Sequence, residues 1–187
     1  MKLLLHVCCS NCAVYPVTRL REGGFSLKGF WFNPNIHPEP EYASRLGSLK
    51  RLQALWGLDI LYRDLYGLDQ FVKALGENTA EGARCAVCYR LRLEEAAAEA
   101  KRLKMDAFTT TLLVSPYQKF DIITAEAARV ESTYNIPFHY EDFRPGFREG
   151  MKTAGGLGLY RQKHCGCTFS AMEAVRRRAE KKAHSPG

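Results

Sequence analysis

Short apolar runs alternate along the chain with longer segments in which apolar residues recur every three or four positions. The short runs predict five strands, at residues 2–7, 27–32, 58–62, 107–114 and 136–141. The longer segments predict helices at residues 11–22, 39–56, 68–75, 85–104, 120–134 and 169–183. The glycine-rich residues 155–158 predict a flexible turn before the last segment.

Strands that alternate with helices favour a parallel sheet with helices on both faces. The pattern continues without a linker, a repeat or a low-complexity segment, so we expect a single α/β domain over residues 1–187 that ends in a basic helix. The predicted fold is a Rossmann-like (HUP-like) domain with a parallel five-stranded sheet.

Thiol and polar residues follow the predicted strands. Cys8 and Cys9 end the first strand, Asn33 and Asn35 follow the second, and Asp64 follows the third. In open parallel sheets, ligands bind outside the carboxyl ends of the strands. We therefore expect a functional site at this edge of the sheet.

The formal net charge of +7 suggests a polyanionic partner, and nucleic acid is the first candidate. Residues 171–187 hold five Lys or Arg and two Glu, so they supply three of these seven charges. The apolar run near the start is too short to cross a membrane or to act as a signal peptide. The sequence therefore predicts a cytoplasmic protein without a membrane partner.

The chemistry of the chain is concentrated in its cysteines. They form three groups: Cys8, Cys9 and Cys12; Cys85 and Cys88; Cys165 and Cys167. In a reducing compartment, closely spaced cysteines more often bind metal or carry out redox chemistry than form structural bridges. Cys85 and Cys88 also lie at a predicted helix start, where residues three apart share a face and the helix dipole favours thiolates.

Two kinds of metal centre fit these groups. Two C-x-x-C pairs are typical of structural zinc, but zinc leaves Cys8, Cys165 and Cys167 without a role. The number and softness of the ligands favour an iron–sulfur centre. Gly166 gives the backbone the freedom to bring Cys165 and Cys167 together, either as a strained, redox-active disulfide or as metal ligands.

Several motifs follow one another over nearly the whole chain. They are LHVCCSNC at 5–12, FNPNIHP at 32–38 with Glu41, Tyr42 and Arg45, EGARC at 81–85, CYRL at 88–91, FTTTL at 108–112, SPY at 115–117, DF at 142–143 and YRQKHCGC at 160–167. This series resembles the QueH-type epoxyqueuosine reductases. That family usually has Ala-Pro where this chain has Ser10 and Asn11, but all three neighbouring cysteines are present.

The resemblance implies the last step of queuosine synthesis, in which epoxyqueuosine in tRNA loses its epoxide oxygen. It also implies a [4Fe-4S] cluster, a neighbouring metal ion that we expect to be iron, and no cobalamin. The implied cluster ligands are Cys8, Cys9, Cys85 and Cys88. Cys165 and Cys167 resemble a redox-active pair, and we assign Cys12 to the neighbouring metal ion. The electron donor is not specified by the sequence.

Further residues are candidates for proton transfer and RNA binding. Loss of the epoxide oxygen needs a proton, for which Asp64, His164 and Tyr160 are candidates. Candidates for contacts with phosphates are Arg45, Arg84, Arg90 and Arg161. Candidates for stacking on a base are Tyr42, Tyr89 and Tyr117.

Two other functions compete with the reductase. A nucleotide-binding ligase or sulfur-transfer enzyme would want a glycine-rich phosphate loop after the first strand, where this chain has cysteines. A zinc-stabilised RNA-binding module without catalysis would be colourless and contain zinc.

Overall fold

A four-stranded parallel sheet, in the order β3-β2-β1-β4, forms the centre of the computed structural model, which describes residues 1–183. The strands are β1 (Lys2–His6), β2 (Ser26–Trp31), β3 (Ile60–Tyr62) and β4 (Ala107–Thr110). The helices are α1 (Ser10–Glu22), α2 (Glu39–Trp56), α3 (Leu68–Leu75), α4 (Ala83–Arg102), α5 (Phe120–Tyr134), α6 (Phe147–Gly156) and α7 (Thr168–Ala183). Short 3₁₀ helices lie at Thr111–Val114 and Arg144–Gly146.

The order of the strands creates a crevice beside β1. The chain builds β1, β2 and β3 in one direction and then returns past β1 to add β4 on its other side. Right-handed crossovers of this kind place α1 and α2 on one face of the sheet and α4 on the other. The loops that follow β1 and β4 diverge at this reversal, which is where open α/β sheets bind ligands.

The prediction of five strands is wrong for the described residues. Residues 136–141 contribute only an isolated parallel bridge, between Phe108 and Phe138. Pro137 has no N–H to extend a ladder, and only its carbonyl pairs with the Phe108 N–H, at 3.0 Å. The partner strand is also short, because the Thr110 side chain accepts the Leu112 N–H and starts a 3₁₀ helix where the sequence predicted more of β4.

Helix α6 was not predicted, and it includes two residues of the expected turn, Gly155 and Gly156. The helix packs against α1 through glycines. A Cβ at Gly146 would lie 2.1 Å from the ring of Tyr15, and one at Gly150 would lie 3.1 Å from its Cβ. These glycines permit close helix packing, and they also hide the helical pattern from a reading of the sequence.

The core lies between the sheet and its helices. Leu3, Leu4 and Leu5 of β1 are buried, as expected for a central strand of a parallel sheet. Helix α4 adds Leu93, Ala96, Ala97 and Ala100, the face that its spacing indicates, and it packs on β1, β4 and α5. Among the helices in the described part of the chain, none is both long enough and apolar enough to cross a membrane.

We expect Leu93→Ala to lower the free energy of unfolding by about 2–5 kcal/mol, because it removes a fully buried side chain and leaves a cavity under β1. Urea denaturation of the metal-free protein measures the loss. Leu55→Ala is the control, since Leu55 is 52% exposed on α2. Equal losses in the two variants would contradict the assignment of this core.

Candidate metal–thiolate centre

The first cysteine group lies at the junction of β1 and α1. Cys9 is the N-cap of α1, and its sulfur accepts the Cys12 N–H at 3.3 Å. This cap brings the Sγ atoms of Cys8, Cys9 and Cys12 within 4.8 Å of one another. Three thiols this close, two of them buried, are a set of soft ligands for a metal.

Two residues that sequence reasoning missed hold these sulfurs. The Thr111 hydroxyl, at the end of β4, accepts the Cys8 N–H at 3.0 Å and donates to Cys8 Sγ at 3.2 Å, across the crevice between β1 and β4. The Gln162 Nε2 donates to Cys9 Sγ at 3.0 Å. Both residues lie within motifs that the sequence singled out, but only the fold shows that they contact sulfur.

The other four cysteines line a small cavity that is partly open to solvent. Cys85 and Cys88 come from the first turns of α4, and Cys165 and Cys167 come from the loop before α7. The remaining lining residues are Asn35, Phe71, Arg84, Tyr89, Arg92 and Gln118. The pair at 165 and 167 thus faces the same space as Cys85 and Cys88.

The loop that carries Cys165 and Cys167 is tightly held. Arg45 donates to the carbonyl oxygens of His164 and Cys165 at 2.9 and 3.1 Å, and the Glu41 carboxylate holds Arg45 at 2.7 Å. Gly166 has φ +127°, and a Cβ there would lie 3.2 Å from Arg45 and Asn35 side-chain atoms. Only glycine fits this backbone without strain.

This loop places the two sulfurs 3.8 Å apart, close enough for a disulfide to form after a small movement. Cys167 directly precedes α7, and its sulfur accepts the Ser170 N–H at 3.4 Å. The Ser170 hydroxyl lies 2.9 Å from Cys165 Sγ and 2.8 Å from the Cys167 carbonyl oxygen. When Cys165 is ionised, the Ser170 hydroxyl can donate its single proton to the Cys165 sulfur.

The close contact among the three sulfurs separates their acidities. The neighbouring Cys12 and Cys9 thiols lower the pKa of Cys8 well below the usual thiol value. The neighbouring Cys8 and Cys9 sulfurs, with burial, raise the pKa of Cys12 well above it. Cys12 acts to lower the pKa of Cys9, but the neighbouring Cys8 sulfur and burial prevail and raise it to about 12. In the metal-free protein the three sulfurs thus share one negative charge, centred on Cys8.

Cys165 and Cys167 also differ in acidity, because one sulfur donates a hydrogen bond to the other. A hydrogen bond from Cys167, aided by Ser170, lowers the pKa of Cys165 well below the usual thiol value, and Cys167 as the donor has a raised pKa. Burial raises the pKa of Cys88 to about 11, although the charge of Arg92 opposes this shift. Cys165 is therefore the reactive thiolate of the cavity.

His6 is buried beneath the first group and is neutral, because burial and the charge of Arg92 lower its pKa to about 4. Its Nε2 lies 3.2 Å from the Phe32 carbonyl oxygen, which can only accept, so Nε2 carries the proton. Nδ1 then accepts from the Thr110 hydroxyl at 2.9 Å. The ring thus fixes the ends of β1, β2 and β4 below the sulfurs.

The candidate proton donors are in different surroundings. The Asp64 carboxylate is half exposed, accepts from the Tyr42 hydroxyl at 3.0 Å and lies 4.0 Å from Lys50. The Tyr160 hydroxyl donates to Glu41 at 2.5 Å, and His164 Nδ1 accepts the Gly166 N–H. The latter two belong to the network that holds the Cys165 loop.

The candidate RNA-binding residues divide by exposure. Arg45 and Arg84 are buried and paired with Glu41 and Glu173, whereas Arg161 is exposed and Arg90 partly exposed. Tyr42 and Tyr89 are buried, but Tyr117 is 82% exposed. Tyr117 directly precedes Gln118, which lines the cavity and accepts from the Tyr89 hydroxyl at 2.7 Å.

The sequence of this chain is similar to those of known proteins over most of its length. A family model described as epoxyqueuosine reductase QueH matches residues 3–173. The epoxyqueuosine reductase QueH of Dehalococcoides mccartyi is 34% identical over 172 residues, which cover 92% of this chain and 93% of the relative. The one of Thermotoga maritima is 32% identical, over 95% of this chain and 94% of the relative.

A solved structure of a predicted subunit of a tRNA methyltransferase from Methanocaldococcus jannaschii is similar in fold. Its TM-score is 0.56 at 12% sequence identity, over 100% of this chain and 90% of that chain. At this identity the likeness concerns the α/β architecture alone.

We expect iodoacetamide to alkylate Cys165 of the metal-free protein much faster than Cys167, because Cys165 is exposed and its pKa is lowered. As pH rises, the rate at Cys165 should reach its plateau below pH 9, the usual thiol pKa, whereas the rate at Cys167 should still be rising there. Mass spectrometry of peptides measures both rates. Ser170→Ala should slow the alkylation of Cys165, and labelling of Cys167 that is faster than that of Cys165 would contradict the assignment.

Proposed function

The chain belongs to the epoxyqueuosine reductase QueH family, and on that premise we propose that its cysteines form the redox centre that removes the epoxide oxygen of epoxyqueuosine in tRNA. The proposed ligands of a [4Fe-4S] cluster are Cys8, Cys9, Cys85 and Cys88. Cys12 is the proposed contribution to an adjacent metal ion, which we take to be iron. Cys165 and Cys167 are the proposed redox-active pair.

The donor set supports this centre. Thiols, which are soft ligands, come from both sides of the crevice. The charge of Arg92 acts on both Cys8 and Cys88, so the cysteines that follow β1 and those at the start of α4 lie close enough to interact with one residue. None of the described residues that line the cavity is a carboxylate, and Glu41 and Glu99 are engaged by Arg45 and Arg102. Sulfur is therefore the ligand type that the site offers, which suits iron–sulfur chemistry.

The reaction requires two electrons and two protons. Both C–O bonds of the epoxide break, a carbon–carbon double bond forms, and the oxygen leaves as water. When bound, the cluster and its neighbouring metal would supply single electrons and a Lewis acid for the departing oxygen. The protein has to position the epoxide, exclude bulk water and provide protons.

Cys165 and Cys167 can supply the two electrons of this reaction. With Cys165 ionised, oxidation of the pair to a disulfide breaks the S–H bond of Cys167, forms one S–S bond and releases two electrons and one proton, so the second proton comes from another group. The sulfurs lie 3.8 Å apart, and Cys165 is exposed, so an external one-electron or thiol donor can restore the pair. Asp64, half exposed directly after β3, is the proposed further proton donor.

The proposed protein is one Rossmann-like, HUP-type domain over residues 1–187 that presents the cavity to tRNA. The crevice between β1 and β4 supports this assignment, and the net charge of +7 supports an anionic partner. Bases of an anticodon loop can be splayed out and stacked on aromatic rings. Tyr117 offers such an exposed ring next in the chain to Gln118, which lines the cavity, and it meets the Phe147 ring edge-on, with the ring centroids 5.8 Å apart.

We expect Cys85→Ala, after anaerobic reconstitution, to lose most iron, sulfide and visible absorption, because it removes a ligand. Cys167→Ser is its counterpart: it should keep the cluster spectrum but greatly reduce conversion of epoxyqueuosine in tRNA, since it removes only the dithiol. Nucleoside analysis of the tRNA measures conversion. Full iron in Cys85→Ala would refute the ligand set, and cluster loss in Cys167→Ser would make Cys167 a ligand. Zinc in place of iron in the unaltered protein would favour the RNA-binding module.

We expect Tyr117→Ala to weaken binding of the tRNA by about 10-fold, because stacking of one base on an aromatic ring contributes about 1–3 kcal/mol. Tyr140→Ala is the matched control, since Tyr140 is 54% exposed and meets Phe120 edge-on, as Tyr117 meets Phe147, but neither of its neighbours in the chain lines the cavity. Affinity is measured at one fixed salt concentration, with iron content recorded for both variants. Equal effects of the two substitutions would remove Tyr117 from the binding surface.

A further inference from the structure

Arg92 is a buried cation whose nearest acceptors are sulfur and main chain. The residue lies on α4 and is 3% exposed. Its Nε donates to the Cys88 carbonyl oxygen at 3.0 Å, and a terminal nitrogen donates to Cys88 Sγ at 3.1 Å. The guanidinium also lies over the Tyr89 ring, 5.5 Å from its centroid.

Two other buried arginines show what is unusual about Arg92. Arg45 pairs with Glu41 at 2.7 Å, and Arg84 pairs with Glu173 at 2.7 Å, so each has a carboxylate as its counter-charge. Within residues 1–183, no carboxylate lies within 4.0 Å of Arg92. A buried charge without a partner strongly destabilises a protein. The fold must therefore supply another anion.

Besides the Tyr89 hydroxyl, the ionisable groups that reach Arg92 are sulfurs from all three cysteine groups. Cys88, Cys8 and Cys165 are the thiols whose charge acts on its guanidinium. Helix geometry explains the contact with Cys88, because residues four apart share one face and the arginine side chain points back toward the helix start. Arg92 also lines the cavity together with Cys85 and Cys167.

We propose that Arg92 is a positioning residue that compensates the negative charge of the thiolate centre and raises its reduction potential. This inference rests on the proposed function, since it concerns the same centre. A cluster held by four thiolates is anionic, and each electron that it accepts adds one negative charge. A buried guanidinium beside the sulfurs favours the reduced state, both by its charge and by the hydrogen bond to Cys88.

The first test compares the metal-free and the reconstituted protein. Arg92→Met removes the charge but keeps an extended apolar side chain. We expect it to lower the thermal midpoint of the reconstituted protein more than that of the metal-free protein, in which fewer sulfurs are ionised. Arg90→Gln is the control, because it removes a partly exposed arginine from the same helix. Equal losses in the two forms, or a metal-free variant that does not fold, would overturn the inference in favour of a structural role.

The second test measures the reduction potential by anaerobic spectroelectrochemistry without tRNA. Arg92→Met should shift the potential to more negative values, Arg92→Lys should restore part of the shift, and Arg90→Gln should leave it unchanged. An unaltered potential in Arg92→Met with full iron would overturn this inference alone. Unaltered protein that binds no iron would overturn the proposed centre itself, so the two failures can be told apart.

Discussion

The need to hold thiolates inside the protein governs this structure. Burial raises the pKa of a thiol, as it does for Cys88, so each sulfur that is to bind metal or carry charge requires compensation. The chain directs three helix N-termini at the site, with Cys9 capping α1, Cys85 in the first turn of α4 and Cys167 preceding α7. Free N–H groups and the helix dipole favour negative charge at each of these positions.

The sheet and the C-terminal loop bring these three helix ends together. The reversal of strand order opens the crevice beside β1, where Thr111 of the neighbouring loop contacts Cys8. Cys165 lies 77 residues after Cys88 in the sequence. Arg45 fixes the loop that carries Cys165 by hydrogen bonds to two carbonyl oxygens. His37 adds a third anchor, because its N–H donates to the Gly166 carbonyl oxygen at 2.8 Å. An ion pair on α2 thus positions sulfurs that are remote in sequence.

Periodicity predicted the elements that repeat a clear pattern, and it failed where single contacts decide. The predicted bounds of α2, α3 and α5 agree with Glu39–Trp56, Leu68–Leu75 and Phe120–Tyr134. The fifth strand failed because Pro137 limits pairing and Thr110 turns β4 into a 3₁₀ helix, neither of which alters the apolar pattern. The same limit applies to the site. Cysteine spacing indicated the three groups, but a polar residue such as Gln162 is distinguished from any other surface amide only by the sulfur that the fold brings to it.

The cysteines lie in two separate sets, and Arg92 is close to sulfurs of both. Three sulfurs lie together at the start of α1, and four line the cavity between α4 and the loop before α7, so a cluster bound by Cys8, Cys9, Cys85 and Cys88 has to join the two groups. Repulsion among ionised sulfurs opposes such a union, and with no carboxylate paired to it in the described chain, the charge of Arg92 is available to offset that repulsion. The buried arginines therefore have two roles. Arg45 and Arg84 neutralise carboxylates and connect segments, whereas Arg92 contacts sulfur and is the residue that we propose compensates the charge of the centre.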